Sequence, residues 1–265
     1  MKKLLIIAVV FICGVDSVYG QGELNEEQKI FFRNEKTFAI LLNTDGYGLS
    51  YREGKRINFL NKKLFEIEVV TLKDPKEVKI SNPYIDTPGS FVFGKLNSVF
   101  LLRGGIGRQH EVYKKADQGG VAIRYFYTGG LVISFAKPIY YKILDPINQY
   151  EYQIKEEKFD IKTLDPSMIY GKSSFFKGIN ETKLLPGIYA KGGFNFEYSK
   201  QDKIIHAIEL GAQINLFPKD IPIMATTGNK AIFFSLFASY RFGIIIDPHN
   251  PDSNKLSNIF SKKKQ

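Results

Sequence analysis

The sequence predicts an all-β chain: an antiparallel transmembrane β-barrel of eight strands, with ten as the alternative count. Three observations predict it. Period-two alternation of apolar and polar residues recurs along most of the chain, the pattern of strands with one apolar face. The alternating runs commonly reach ten to fourteen residues, where a strand averages about 5–6. Their apolar faces are rich in aromatic residues, and the chain holds 22 Phe and 15 Tyr, which suits the aromatic girdles of a membrane interface.

The chain opens "MKKLLIIAVVFICGVDSVYGQ". Lys2 and Lys3 precede the uncharged, mostly apolar run from Leu4 to Val15, and Val18 and Gly20 occupy the −3 and −1 positions before Gln21. That pattern predicts a secretory signal peptide over 1–20, cleaved near Gly20. The apolar run is too short for a spanning helix, which needs about 20 residues. Ile12 before the single Cys13 is too large for a lipid-anchor site. Cleavage would leave no cysteine, hence no disulfide and no thiol chemistry. It would also remove Lys2, Lys3 and Asp16, taking the net charge from +10 to +9. An exported basic chain meets anionic lipid headgroups and lipopolysaccharide phosphates rather than nucleic acid, so the expected location is the bacterial outer membrane.

An N-terminal periplasmic segment is expected over 21–36 and the barrel over 37–243. Seven alternating runs fill it: about 37–51, 57–72, 97–112, 119–144, 184–199, 203–217 and 230–243. "FEIEVVTL" sets Phe65, Ile67 and Val69 against Glu66 and Glu68, and "GGVAIRYFY" sets Tyr125 and Tyr127 against Arg124. In "IFFSLFASYRFG" every even position from Ile232 to Phe242 is apolar. The fourth run is too long for one crossing. Gly129-Gly130 reads as a tight hairpin turn, and division there gives eight strands with both termini periplasmic. A rival division at "NTDG", 43–46, leaves arms too short to cross. Residues 73–90 read as a polar, Pro-rich loop. The connection 145–183 holds a polar hairpin in "YEYQIKEEKFDIKTL" and then "SSFFKGINETK". Connections longer than about 12–15 residues usually carry function. This one is expected outside the cell, as a contact surface for another envelope protein, with Phe175 and Phe176 as contacts. Residues 244–265 read as a periplasmic tail.

If the apolar faces meet lipid, the opposite faces form a lumen charge network: Glu66, Glu68, Arg103, Arg124, Lys191, Glu197, Glu209 and Arg241. An eight-stranded barrel barely holds its own side chains, so mixed charges are expected to pair and fill it. Gly104, Gly105, Gly107, Gly192 and Gly193 are expected to let strands bend and approach closely.

Enzyme motifs fail on inspection. In "GYGLSYREGKR" five residues separate Gly48 from Gly54, and Arg56 stands where a phosphate loop needs Ser or Thr. "GGIGRQ" lacks the third glycine of a dinucleotide fingerprint. His110, His206 and His249 are scattered, without partners at metal-ligand spacing. No catalytic, cofactor-binding or metal-binding residue is assigned. The leading expectation is a non-enzymatic structural, assembly or surface-binding barrel. The alternatives are a narrow solute channel and a soluble exported lipid-binding β-protein, with a hydrolase-type barrel enzyme acting on lipid A as the enzymatic rival.

The motifs "FVFGKLNSVFLLRGGIGRQ", "GGVAIRYFYTGGLVISFAKPIYY", "FPKDIPIMA" and "FFSLFASYRFG" resemble a mostly uncharacterised family of small porin-like outer-membrane barrel proteins of the Bacteroidota. The resemblance covers about residues 57 to 243 and implies location and fold without catalytic residues. It also implies that Phe242 is the strand-terminal aromatic that assists barrel assembly. Here 23 residues follow it, a departure from the usual pattern.

Overall fold

The computed structural model describes residues 34–85, 88–115, 119–148, 151–160, 166–199, 204–225 and 228–246. The expected signal peptide, His249 and nearly all of both terminal segments lie outside them. Numbered along the chain, the strands are β1 (Asn34–Asn43), β2 (Gly46–Arg56), β3 (Asn61–Leu72), β4 (Lys79–Ile80), β5 (Phe91–Val92), β6 (Asn97–Tyr113) and β7 (Ala122–Pro138). They continue with β8 (Tyr140–Asn148), β9 (Glu151–Lys158), β10 (Ile169–Lys172), β11 (Lys183–Glu197), β12 (Ile204–Ile221) and β13 (Lys230–Ile246). Eight of them close a barrel in the order β1-β13-β12-β11-β7-β6-β3-β2. The closing seam is antiparallel and runs from Asn34 opposite Ile246 to Asn43 opposite Phe237. Closure leaves no strand edge with unpaired backbone groups.

The count of eight holds, but the expected division of the strands does not. Gly129-Gly130 makes no turn, because β7 pairs in unbroken register through it with Ile106 and Gly105 of β6 and with Ala190 and Tyr189 of β11. Gly130 serves close approach instead, as does Gly105 opposite it. A Cβ at Gly130 would lie 2.2 Å from the Gly104 carbonyl oxygen, and one at Gly105 would lie 2.4 Å from the Tyr189 hydroxyl. The missing turn is at 43–46, where Asn43 faces Gly46 across a loop of Thr44 and Asp45. The loop is stitched to both flanks: Thr44 N–H donates to the Leu236 carbonyl and Lys73 N–H donates to the Asp45 carbonyl. Its arms are long enough, ten and eleven residues, because β1 begins earlier and β2 ends later than expected. Their extra residues include Glu35 and Arg52, which point into the lumen and so continue the strands.

Both termini of the barrel lie at one end, with the short connections 57–60, 114–121 and 198–203. The opposite, distal end carries the connections 44–45, 73–96, 139–182 and 222–229. The two long ones fold together as a cap. The hairpin expected within 150–164 forms earlier, because β9 pairs with β8, which precedes that stretch, and β10 joins them into a three-stranded sheet. The cap has its own core of Phe91, Ile139, Tyr141, Phe159 and Ile169. Asn82 ties its halves, its Nδ2 donating to the carbonyls of Ser167 (2.6 Å) and Ile169 (3.0 Å). The Tyr141 hydroxyl lies 2.7 Å from the Val92 carbonyl and 2.9 Å from the Lys95 carbonyl. Burial pushes its phenol pKa up. Gly94, at φ +79°, makes the left-handed turn that brings its carbonyl to the Ala225 N–H at 2.7 Å.

Candidate functional site

The barrel has an apolar outside and a filled, charged inside. On β13 the even residues Ile232, Phe234, Leu236 and Tyr240 are exposed, while Ser235, Phe237, Ser239 and Arg241 are buried. The same division recurs with Phe38, Ile40 and Leu42 on β1, Phe65, Ile67 and Val69 on β3, and Ile208 and Leu210 on β12. Near the terminal end the outward aromatics form a nearly continuous stacked chain. Tyr51 meets Phe38 at 5.1 Å, Phe38 meets Phe242 at 6.3 Å, and Phe242 meets Tyr240 at 6.1 Å. His206 continues it, 6.1 Å from Tyr240 and 6.3 Å from Tyr198. At the distal rim sit Tyr47, under the Lys73 ammonium, and Phe100, edge-on to Phe175 of the cap.

All eight expected lumen charges are buried inside the barrel. The geometry sorts them into two layers. Glu66, Glu68, Arg103, Lys191, Glu209 and Arg241 meet at mid-height, joined by Arg52. Glu66 Oε1 receives Arg52 (2.8 Å) and Arg241 (2.9 Å). Glu209 Oε1 accepts from Arg52 Nη1 at 2.5 Å and from Asn195 Nδ2 at 2.8 Å, and the Arg241 guanidinium is ion-paired to it, with Nε 3.0 Å away. Glu68 binds Lys191 at 2.5 Å and Arg103 at 3.1 Å. Arg103 also donates to Gln213 (2.8 Å) and Asn215 (3.0 Å). Four cations thus share three carboxylates in a site where unpaired charge would be very costly.

Arg124 and Glu197 pair with each other in a separate layer toward the termini. Lys115 reaches the same carboxylate at 2.8 Å, Arg124 lies 3.7 Å from Glu111, and Lys62 pairs with Glu35. Arg52, Glu35, Lys62, Glu111 and Lys115 are thus the network members that the sequence reading missed. For Arg52 the signal was present: alternation through Tyr47, Leu49 and Tyr51 puts it on the lumen side.

Other inward positions are apolar. Leu41, Leu101, Phe126, Val132, Tyr189 and Phe237 belong to one buried cluster. Arg52 lies 4.5 Å from the Phe126 ring centroid and Lys191 lies 4.5 Å from that of Phe237, so the cations also pack against the aromatic rings. The histidines are apart: His110 Nδ1 lies 2.9 Å from Asn61 Oδ1, and His206 Nδ1 lies 2.8 Å from the Tyr240 hydroxyl. Among the described residues no helix is long and apolar enough to cross a membrane, which says nothing of strands.

Fold and interior together define a closed, eight-stranded antiparallel barrel with an apolar exterior, a packed lumen and one elaborated end. No protein-family model matches the chain. No curated protein matches it either. Among solved structures it is similar to Neisserial surface protein A, at 10% identity over 81% of this chain and 97% of that one, with a TM-score of 0.39. It is also similar to Ail, the attachment invasion locus protein of Yersinia pestis, solved in complex with the heparin analogue sucrose octasulfate (5% identity, 81% and 99% covered, TM-score 0.37). A third is the N-terminal β-barrel domain of Pseudomonas aeruginosa OprF (8% identity, 81% and 99% covered, TM-score 0.35).

Proposed function

We propose that the chain is a non-enzymatic outer-membrane barrel that acts at the cell surface through its distal cap, with a lumen closed to solutes. The observation that carries this reading is the division of faces around the whole barrel: apolar residues outside, paired charges inside. In water that arrangement would expose a large contiguous apolar surface, which soluble monomers avoid. In a bilayer it is the required one. From Ile232 to Phe242 the outward band of β13 spans roughly 25 Å at the tilt usual for such barrels, matching the apolar band they present to lipid. The alternative of a soluble lipid-binding protein needs the opposite arrangement, with apolar residues inside and charge outside. The resemblance to Bacteroidota barrel proteins fits this reading.

The cap is the part of the molecule with a shape of its own beyond the membrane. Its β8–β9 hairpin exposes Ile147, Tyr152 and Ile154, and its 166–182 stretch exposes Phe175 and Phe176. These aromatic and aliphatic groups suit contact with another envelope protein. Two experiments test the reading. In planar bilayers the purified protein should give no single-channel steps, and steady ion-selective steps would favour the channel alternative. Replacing residues 144–155 with a short Gly-Ser turn should leave the barrel folded and remove surface binding. Binding unchanged by that deletion and by Phe175→Ala with Phe176→Ala would overturn the cap as the contact surface.

A further inference from the structure

At the distal rim, between the barrel wall and the cap, lies a cavity of about 730 Å³. Four lysines line it: Lys73, Lys79, Lys95 and Lys172. Three carboxylates share its wall, Asp45, Asp74 and Glu77, and two of them are engaged. Glu77 accepts Lys95 at 2.5 Å and the Asp74 N–H at 3.2 Å, while Asp74 accepts the Lys76 N–H at 2.8 Å. Neither carboxylate oxygen of Asp45 has a hydrogen-bond partner among the described residues, and burial raises its pKa, with Arg103 opposing, which weakens its negative charge. Among the described residues no carboxylate lies within ion-pair distance of Lys79 or Lys172, so the free charge of the cavity is positive. Burial, then the ammonium groups of Lys95 and Lys79, hold the Lys172 pKa below its ordinary value, with Glu77 opposing. Lys73, Lys79 and Lys172 thus face one cavity, where a bound anion would meet several ammonium groups at once.

The cavity's position selects the kind of anion. Its mouth includes Leu42 and Tyr47, exposed at the top of the apolar belt. Tyr47 lies 5.0 Å below the Lys73 ammonium. An aromatic ring and a lysine at the edge of an apolar belt mark the level of lipid headgroups. Phe175 of the cap closes another wall.

Building on the membrane reading above, we infer that this rim cavity binds a phosphate-bearing headgroup, with Lys79 and Lys172 as its principal ligands and Lys73 at its mouth. Lysine ammonium groups act as point charges toward phosphate oxygens, and several can share one dianion. The cap would then be anchored to the outer leaflet as well as to the barrel.

The test uses the mature protein in detergent, native mass spectrometry, and two probes: bis-phosphorylated lipid A and its dephosphorylated form. The phosphorylated lipid should be retained at least about tenfold better, a difference that one charge-assisted contact can supply. Lys79→Gln with Lys172→Gln should abolish that preference. Lys155→Gln with Lys158→Gln, which removes the same charge from the cap away from the cavity, should keep it. Displacement of the lipid by millimolar inorganic phosphate would uphold the phosphate site and assign it to a soluble ligand. Equal retention of the two lipids, or equal binding by both double variants, would overturn it. A wild type without a heat-dependent gel shift would overturn the membrane reading, and the lipid form of this inference with it.

Discussion

Arg52 shows how much of the lumen depends on single side chains. Its guanidinium touches Glu66 and Glu209 at once, and both carboxylates are fully buried. Removing one partner of a buried pair costs about 3–5 kcal/mol because the remaining charge is left uncompensated. Arg52→Ala should therefore shift the urea-unfolding midpoint of the detergent-folded protein strongly downward. Lys155→Ala on the exposed face of β9 should move it by no more than about 0.5 kcal/mol equivalent. Glycines give a second contrast. A Cβ at Gly130 would meet the Gly104 carbonyl oxygen at 2.2 Å and the Gly105 Cα at 2.5 Å, whereas one at Gly104 meets nothing within 4 Å. Gly130→Ala should block or slow barrel formation, and Gly104→Ala should fold as the wild type does, measured by the folded fraction after refolding into micelles. The lumen charges were legible in the sequence because period two assigns a face to every residue once one face is known. The apolar inward cluster was not legible. Phe126 and Phe237 break the polar pattern of their face, and only three-dimensional convergence shows that they meet each other, 6.3 Å apart.

At the scale of elements, sequence and structure part where glycines and polar residues have two readings. Gly129-Gly130 carries the composition of a hairpin turn, yet Gly130 is required by the nearness of the Gly104–Gly105 backbone within a continuous strand. Asn34 to Lys36 look like a polar lead-in, yet Glu35 points into a polar lumen and extends β1. The rule that a strand ends where polarity rises fails inside a barrel whose core is charged. The cap was legible as a long connection with a hairpin, but not as a folded unit. Its core joins Phe91 to Ile169, residues far apart in sequence. Asn82 is the most direct test of that union. Asn82→Ala removes both hydrogen bonds to the 166–182 segment and leaves two carbonyls to find other partners, a loss of about 1–3 kcal/mol. Limited proteolysis should then cut within 73–96 faster than in the wild type, with the barrel fragment staying intact. Cleavage at the wild-type rate would mean that the cap halves do not depend on this residue.

For the whole molecule, closure and sidedness belong to one argument. A barrel closed at the β1–β13 seam satisfies its backbone internally, which frees its outer face to be apolar, and an apolar outer face in turn demands a solvent other than water. The packed charges and the aromatic rings among them fill the barrel, and the proposed function is placed at the elaborated distal end. The sequence shows the long polar connections that build this end. It could not show that two connections fold against each other and enclose a lysine-lined cavity, since that depends on which strands end at the same rim. Gel migration of the envelope-fraction protein, unheated against boiled in detergent, tests the central claim most directly. The account predicts a heat-dependent shift together with co-fractionation with the outer membrane. Identical migration before and after boiling, with the protein released in soluble form, would mean that the even face of "IFFSLFASYRFG" packs against protein, and would contradict it.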